Sequence, residues 1–159
     1  MHLLSSTAAA ALLLAACAAP GAAASASAAE VGVGSPAAAA SAFLEAFNAL
    51  NSARFDSFFA EDATMFFPDG PFPRERVEGK AAVTAAFRAF FEAARARGAT
   101  RLNIRPQEMS VQDYGRFAVV SFHLRGGANL GRRSLVLRRD GRDWRIVHFH
   151  ASALEARPN

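Results

Sequence analysis

The spacing of apolar residues changes once along the chain, and this change restricts the fold more than any other feature. Before Gly98, apolar residues recur every three or four positions, which is the spacing of amphipathic helices. After Gly98 they alternate with polar residues, which is the spacing of strands that bury one face. Helices first and a series of strands afterwards predict an α+β domain with an antiparallel sheet.

Capping and turn residues give approximate bounds for the predicted elements. Ser35 and Pro36 are typical of a helix N-cap followed by the first helical residue. The helices are predicted at about 36–50, 52–59 and 83–94, the last of them ending at Gly98. The strands are predicted at about 62–68, 100–112, 116–125, 132–139 and 143–152.

The start of the chain has the composition of an export signal. Residues 1–29 contain no charged side chain, and the apolar stretch 8–16 has signal-peptide length, well short of the roughly 20 residues that span a bilayer. Leu-Ala-Ala-Cys at 14–17 resembles the bacterial lipobox, and Cys17 is the only cysteine in the sequence. We expect a signal peptide over 1–17, lipidation at Cys17 and a flexible tether over 18–35, followed by one domain over 36–155.

Two other interpretations of the start stay open. Ala-Ser-Ala runs at 24–28 suit an ordinary signal peptidase, which would release a soluble exported protein. The lack of Lys or Arg before the apolar stretch suits a misassigned start. With either kind of signal we expect export to the bacterial envelope, in the periplasm, with a lipid anchor as the only membrane contact.

The net charge of +4 comes from 17 arginines and Lys80 against 14 acidic residues. The arginines are scattered and often adjoin acids, and no basic run contains interleaved aromatic residues. We therefore expect no nucleic-acid partner.

Two histidines lie on the last predicted strand, in the sequence WRIVHFHAS. Strict alternation places Trp144, Ile146, His148, His150 and Ser152 on one face of the sheet. Hydrogen-bonded wall residues are the favoured interpretation, because a buried imidazole needs a partner.

Metal binding and catalysis are the alternatives for these histidines. A catalytic zinc needs a third protein ligand, for which His123 is the nearby candidate. Catalysis needs a carboxylate beside an imidazole. The candidate carboxylates are Asp62, Asp69, Glu78 and Asp113. Since each has a structural explanation in a turn or near an element end, we predict no catalytic residue, metal or cofactor.

Three segments carry a family resemblance: DATMFFPDG (62–70), VEGK (77–80) and LRRDGRDWRIVHFHAS (137–152). They are similar to SnoaL-like domains of the nuclear transport factor 2-like superfamily, which is cystatin-like in fold. They most resemble the association domain of calcium/calmodulin-dependent protein kinase type II. The resemblance covers 37–153 and implies a cone, in which a curved antiparallel sheet wraps round the helices and the chain self-associates.

The kinase association domain implies an anion-accepting pocket lined by arginines, but the matching positions here are His123, Ser134 and Ala151. Arg133 adjoins one of these positions, and strand alternation predicts that its side chain points to the opposite face. We therefore expect that a carboxylate-binding pocket does not transfer to this chain.

These observations predict a self-associating module, a homodimer or larger homo-oligomer, that binds a flat hydrophobic ligand with one or two hydrogen-bonding atoms. The expected apolar lining of the cavity is Phe43, Phe47, Phe66, Phe87 and Phe91. Its expected polar groups are His123, Trp144, His148 and His150. The alternatives are a cavity enzyme (isomerase, dehydratase or cyclase) with a His/carboxylate pair, and an assembly module without ligand.

Overall fold

The computed structural model describes residues 34–68, 72–73, 75–126 and 129–154. The predicted signal peptide, Cys17, nearly all of the tether and Asp69 lie outside these residues. In the described part the helices are α1 (Pro36–Asn48), α2 (Ser52–Asp56) and α3 (Lys80–Ala96). The strands are β1 (Phe59–Phe66), β2 (Val77–Glu78), β3 (Gln107–Asp113), β4 (Phe117–Gly126), β5 (Asn129–Asp140) and β6 (Asp143–Leu154).

The predicted N-cap of α1 and the predicted glycine after α3 are confirmed, whereas α2 ends at Asp56, before the predicted end at about 59. The Ser35 hydroxyl accepts a hydrogen bond from the Ala38 N–H at 3.2 Å, and Pro36 occupies the first turn of α1. Gly98 follows α3 with φ at +85°, a conformation that glycine adopts without strain, and lets the Ala99 N–H reach the Ala94 carbonyl at 3.1 Å.

The six strands form one curved, open sheet in the order β2-β1-β6-β5-β4-β3. Strands β3 to β6 form the predicted antiparallel meander. The expectation of a wholly antiparallel sheet is wrong at β1, which pairs in parallel with β6. The reason is that the chain leaves β1 for α3 and returns through the meander, whose last strand runs in the direction of β1.

A core dominated by phenylalanine fills the space between the helices and the inner face of the sheet. The Phe55 ring lies at its centre, with its centroid 4.8 Å from that of Phe87 and 4.9 Å from that of Phe43. Phe91 and Phe149 are buried in the same cluster. Because truncating such a side chain to alanine costs about 3–5 kcal/mol, this cluster fixes how the helices lie on the sheet.

A β-bulge interrupts β6 at Val147. In the register between β5 and β6, Val136 pairs with His148 while Leu137 pairs with Ile146, so β6 has one extra residue at this point. A bulge of this kind moves the following side chains to the opposite faces.

The bulge overturns the predicted alternation of the last strand. Trp144 is only 3% exposed and points inward before the bulge, whereas Phe149 and Ala151 point inward after it. His148 and His150 consequently lie on the other face of the sheet from Trp144. We call that face, which points away from the helices, the outer face.

Candidate functional site

An apolar pocket of about 200 Å³ lies between the helices and the inner face of the sheet. It is lined by residues of α1, α3, β4, β5 and β6 and of the segments that follow β1 and precede β3. Seven phenylalanines provide most of its wall: Phe43, Phe47, Phe67, Phe87, Phe90, Phe122 and Phe149. Such a surface accommodates the apolar body of a small molecule.

Asn48, at the end of α1, fixes one edge of this pocket. Its side-chain NH₂ donates to the Ile104 carbonyl at 2.9 Å, and its side-chain oxygen accepts from the Ile104 N–H at 2.8 Å. The Asn48 carbonyl also accepts from the Leu102 N–H at 2.8 Å. These bonds hold Ile104 in the pocket wall although its segment has no regular secondary structure.

Arg133 is the one charged residue among the described residues that line the pocket. Its Nη1 donates to the carbonyls of Arg132 at 2.9 Å and Ser152 at 3.1 Å. Its guanidinium carbon lies 5.5 Å from the centroid of the Phe67 ring, within the range of a cation–π contact. Burial lowers the pKa of Arg133 from its usual value, although a guanidinium stays protonated at neutral pH.

The position of Arg133 corrects the expectation that its side chain points away from the pocket. On β5 the inner face is set by the buried Leu135 and Leu137, and Arg133 shares their side. Ser134 pairs with His150 on the outer face instead. The alternation of Arg133 and Ser134 is as predicted, but the choice of the inward residue is wrong.

Gly131 leaves the space in which the Arg133 side chain folds back along the strand. A Cβ atom at this position would lie 3.0 Å from Nη1 of Arg133, closer than ordinary van der Waals contact allows. The described residues place no Asp or Glu oxygen within 4.0 Å of the Arg133 guanidinium. The pocket thus presents a cation whose charge is compensated by carbonyl dipoles and an aromatic face.

The predicted aromatic lining is brought together in part. Phe43, Phe47 and Phe87 line the pocket. Phe91 is fully buried behind it, with its ring centroid 5.4 Å from that of Phe47. Phe66 lies on the outer face and is 38% exposed.

None of the predicted polar groups lines the pocket. Trp144 is buried on the inner face but at another place. His123, His148 and His150 lie on the outer face. The sequence interpretation missed Arg133, which takes the place expected for these groups.

Among the described residues, His123 forms a hydrogen-bonded pair with a carboxylate, that of Glu108. Its Nδ1 lies 2.8 Å from Oε2 of Glu108, a non-glycine residue with φ at +53° in the irregular part of β3. Phe122 and Leu124, on either side of His123, line the pocket, so the pair itself lies on the opposite side of β4. This pair therefore does not supply the His/carboxylate pair that the enzyme alternative requires inside the cavity.

The candidate carboxylates that the structure describes have other partners. Asp62 accepts two hydrogen bonds from Arg138, at 2.8 and 2.9 Å, which hold the pKa of its carboxyl below the usual value. Glu78 accepts from Arg76, and Asp113 accepts from the Gly115 N–H at 2.8 Å. No described His, Asp or Glu lines the apolar pocket.

His148 is held against β1. Its Nδ1 lies 2.8 Å from the Thr64 hydroxyl, in agreement with the predicted hydrogen-bonded wall residue. Partial burial lowers the pKa of His148, and the charges of His150 and Arg76 lower it further.

A second, polar cavity of about 460 Å³ opens at the end of the sheet where β1 begins and β5 ends. Four of its six charged side chains pair with each other, Lys80 with Glu61 at 2.8 Å and Arg138 with Asp62 at 2.8 Å, and Arg145 pairs with Asp143. Because these side chains already have ion-pair partners, a charged ligand would have to compete with them for binding.

Two further kinds of feature are absent from the described ranges. None of the helices there is long and apolar enough to cross a membrane. No group of three or more His, Cys, Asp and Glu side chains there is placed to hold a metal ion.

A curved open sheet wrapped on helices, with an apolar pocket between the two layers, defines the nuclear transport factor 2-like fold. The chain belongs to the SnoaL-like domain family, whose model matches residues 37–156. No curated protein matches the sequence.

Solved structures share this architecture. A protein from Thiobacillus denitrificans, provisionally described as a calcium/calmodulin-dependent protein kinase type II association domain, is 26% identical with a TM-score of 0.62, over 79% of this chain and 100% of that one. A provisionally described dehydratase of the same fold from Streptomyces avermitilis is 18% identical, with a TM-score of 0.60 over 74% of this chain and 91% of that one. A provisionally described ketosteroid isomerase from Parabacteroides distasonis is 19% identical, with a TM-score of 0.56 over 76% and 89%. The last two likenesses concern the fold alone.

Proposed function

We propose that this protein binds a small amphipathic anion, whose apolar body lies among the phenylalanines and whose carboxylate or similar group pairs with Arg133. The observation that carries this proposal is the guanidinium of Arg133 in an otherwise apolar pocket, with no described carboxylate beside it. Taking a charge out of water is costly unless a counter-charge or hydrogen bonds compensate it.

The hydrogen bonds of Arg133 leave donors for a ligand. Both carbonyl contacts use Nη1, whereas a guanidinium has five N–H donors on three nitrogens. A carboxylate is the planar acceptor that matches the remaining donors. The volume of about 200 Å³ favours a ligand smaller than drug-sized molecules, whose sites measure about 300–1,000 Å³.

We favour binding over catalysis. The isomerase or dehydratase alternative needs a general base in the cavity, and the described lining contains neither imidazole nor carboxylate. The likeness to a protein described as an association domain supports a role that does not depend on catalysis.

Phenylacetate and its uncharged counterpart 2-phenylethanol test this proposal by isothermal titration calorimetry. We expect phenylacetate to bind more tightly than 2-phenylethanol. Arg133→Met should lower the affinity for phenylacetate by about tenfold or more, since a hydrogen bond to a charged group contributes about 1.5–3 kcal/mol. The affinity for the alcohol should change much less. Arg132→Met, which alters the neighbouring arginine on the outer face, is the matched control. Equal affinities for the acid and the alcohol in the unmodified protein would contradict an anion site.

We also propose that the protein is a homodimer or larger homo-oligomer whose copies meet on the β4–β5 half of the outer face. The side chains at the middle of this half are half-buried and uncharged: Val119, Ser121, Ser134 and Val136. Interfaces between copies of one chain are typically depleted of charge at their centre, which supports this choice of surface.

Finally, we propose that the protein is exported to the bacterial envelope and anchored there by a lipid on Cys17. This proposal is supported by the lipobox-like residues 14–17 and the apolar stretch before them.

A further inference from the structure

The outer face carries a pair of imidazoles that has no part in the proposed ligand pocket. We propose that His148 and His150 together chelate one divalent transition-metal ion, with Cu²⁺ the most tightly bound. Their ring centroids lie 6.5 Å apart, with 34° between the ring planes, on the same side of β6. Positions i and i+2 of a strand point to one face, so both side chains can reach the same ion.

The hydrogen bonds of Thr64 prepare His148 for this role. The Thr64 hydroxyl lies 2.8 Å from Nδ1 of His148 and 3.5 Å from the Val147 carbonyl. In the tautomer with its hydrogen on Nδ1, His148 donates to this hydroxyl and keeps the lone pair on Nε2. A partner on the second ring nitrogen of this kind fixes the tautomer and orientation of metal-binding histidines.

His150 supplies the movable half of the chelate. It is exposed, so its ring can turn toward His148, whereas Phe66 limits the motion of both rings by edge contacts at centroid distances of 5.9 and 6.2 Å. Two nitrogens that bind one ion at about 2.0–2.1 Å each lie roughly 3 Å apart, which needs a modest inward rotation of His150.

The surroundings of the pair are compatible with a bound cation. The charge of the nearby Arg76 is offset by its ion pair with Glu78. Across the strands the pair faces uncharged side chains: Thr64, Phe66, Ser134 and Val136.

The ligand set decides which metal ions fit. A site of two imidazoles, with water in the remaining positions, binds Cu²⁺ more tightly than Ni²⁺ or Zn²⁺, as the general order of divalent-metal affinities predicts. Because no third described His, Cys, Asp or Glu joins the pair, the ion stays open to water.

Titration of the full chain with CuCl₂ at pH 7.5, without a polyhistidine tag, tests this site. Every variant carries His2→Ala, so that an imidazole outside the described residues does not contribute to the copper signal. We expect one Cu²⁺ per chain with nitrogen hyperfine coupling in the electron paramagnetic resonance spectrum. Both His148→Ala and His150→Ala should weaken binding by about tenfold or more, and Thr64→Val by about tenfold, as removal of an orienting hydrogen bond does in other metal sites.

His123→Ala is the matched control, since His123 lies on the outer face but is engaged by Glu108. It should leave the copper affinity unchanged. Failure of the protein to bind Cu²⁺, or binding that survives His150→Ala, would overturn the proposal. His150 is exposed and outside the core, so its substitution leaves the fold intact and the measurement interpretable.

Discussion

The guanidinium of Arg133 lies over the ring of Phe67, 5.5 Å from its centroid, at the boundary between the apolar pocket and the end of β6. The aromatic face stabilises a cation that is partly removed from water, and it orients the planar donor group toward the pocket. This pair makes the pocket amphipathic, and it connects the segment after β1 to β5.

We predict that Phe67→Leu lowers the affinity for phenylacetate while the affinity for 2-phenylethanol changes less. A cation–π contact contributes about 0.5–2 kcal/mol, and leucine keeps the apolar contact without the negative ring face. Calorimetric titration of both ligands gives the ratio of the two affinities. Phe90→Leu is the control, because Phe90 lines the same pocket but stacks on Phe47 and should change both affinities alike.

We predict that Gly131→Ala reduces the preference for the carboxylate ligand. The new Cβ would lie 3.0 Å from Nη1 of Arg133, so the guanidinium must shift by a few tenths of an ångström from the position that faces the ligand. In a protein that already carries Arg133→Met, Gly131→Ala should not lower the affinity for phenylacetate further, because the guanidinium that it shifts is absent. If Gly131→Ala lowered the affinity for 2-phenylethanol as much as that for phenylacetate, Gly131 would act on the shape of the pocket and not on Arg133.

The sequence was sufficient to predict the fold because the spacing of its apolar residues changes only once. Helical spacing before Gly98 and alternation after it predict the α+β order, and the closing LRRDGRDWRIVHFHAS predicts the family that the match over 37–156 confirms. The parallel pairing of β1 with β6 was missed, since strand order depends on contacts between residues that are far apart in the chain.

The site was predicted less well, for a local reason. Ile146 and Val147 are both apolar, so either choice of the inward-facing residues of β6 satisfies the hydrophobic pattern. The bulge that decides between the two choices adds only one residue, which the pattern does not reveal. Arg133 did carry a signal, because it shares the alternation of Leu135 and Leu137, the most apolar side of β5. Following that alternation inward would have placed the cation in the pocket.

We predict that Ser121→Arg lowers the molecular mass of the protein in solution, as measured by size-exclusion chromatography with light scattering. Ser121 pairs with Ser134 and Ser110 on the outer face, so a long side chain fits one copy but obstructs a second copy on the β4–β5 half. Ser110→Arg is the control, since it lies in the same row but on the edge strand β3. A mass unaffected by Ser121→Arg would exclude this half of the face as the contact.

We predict that Cys17→Ser moves the protein from the membrane fraction to the soluble fraction of the envelope. A serine cannot form the thioether to which the lipid is attached, so the variant would lack the proposed anchor. Immunoblotting of fractionated cells measures the distribution, and mass spectrometry of the unmodified protein should show the lipid. Unchanged partitioning of the variant would contradict the anchor.

We predict that His148 makes the fold less stable as the pH falls below about 6.5. The pKa of His148 is lowered in the folded state from its usual 6.5, mainly by burial, so between the two values the unfolded chain binds more protons. By linkage, the free energy of unfolding is unaffected above the usual value and decreases as the pH falls toward the lowered one. Urea unfolding at pH 7.5 and at pH 5.0 measures this decrease, and His148→Gln, which does not titrate, should show a smaller one. An equal decrease in both proteins would mean that the acid sensitivity comes from other groups, because only the titration of residue 148 differs between them.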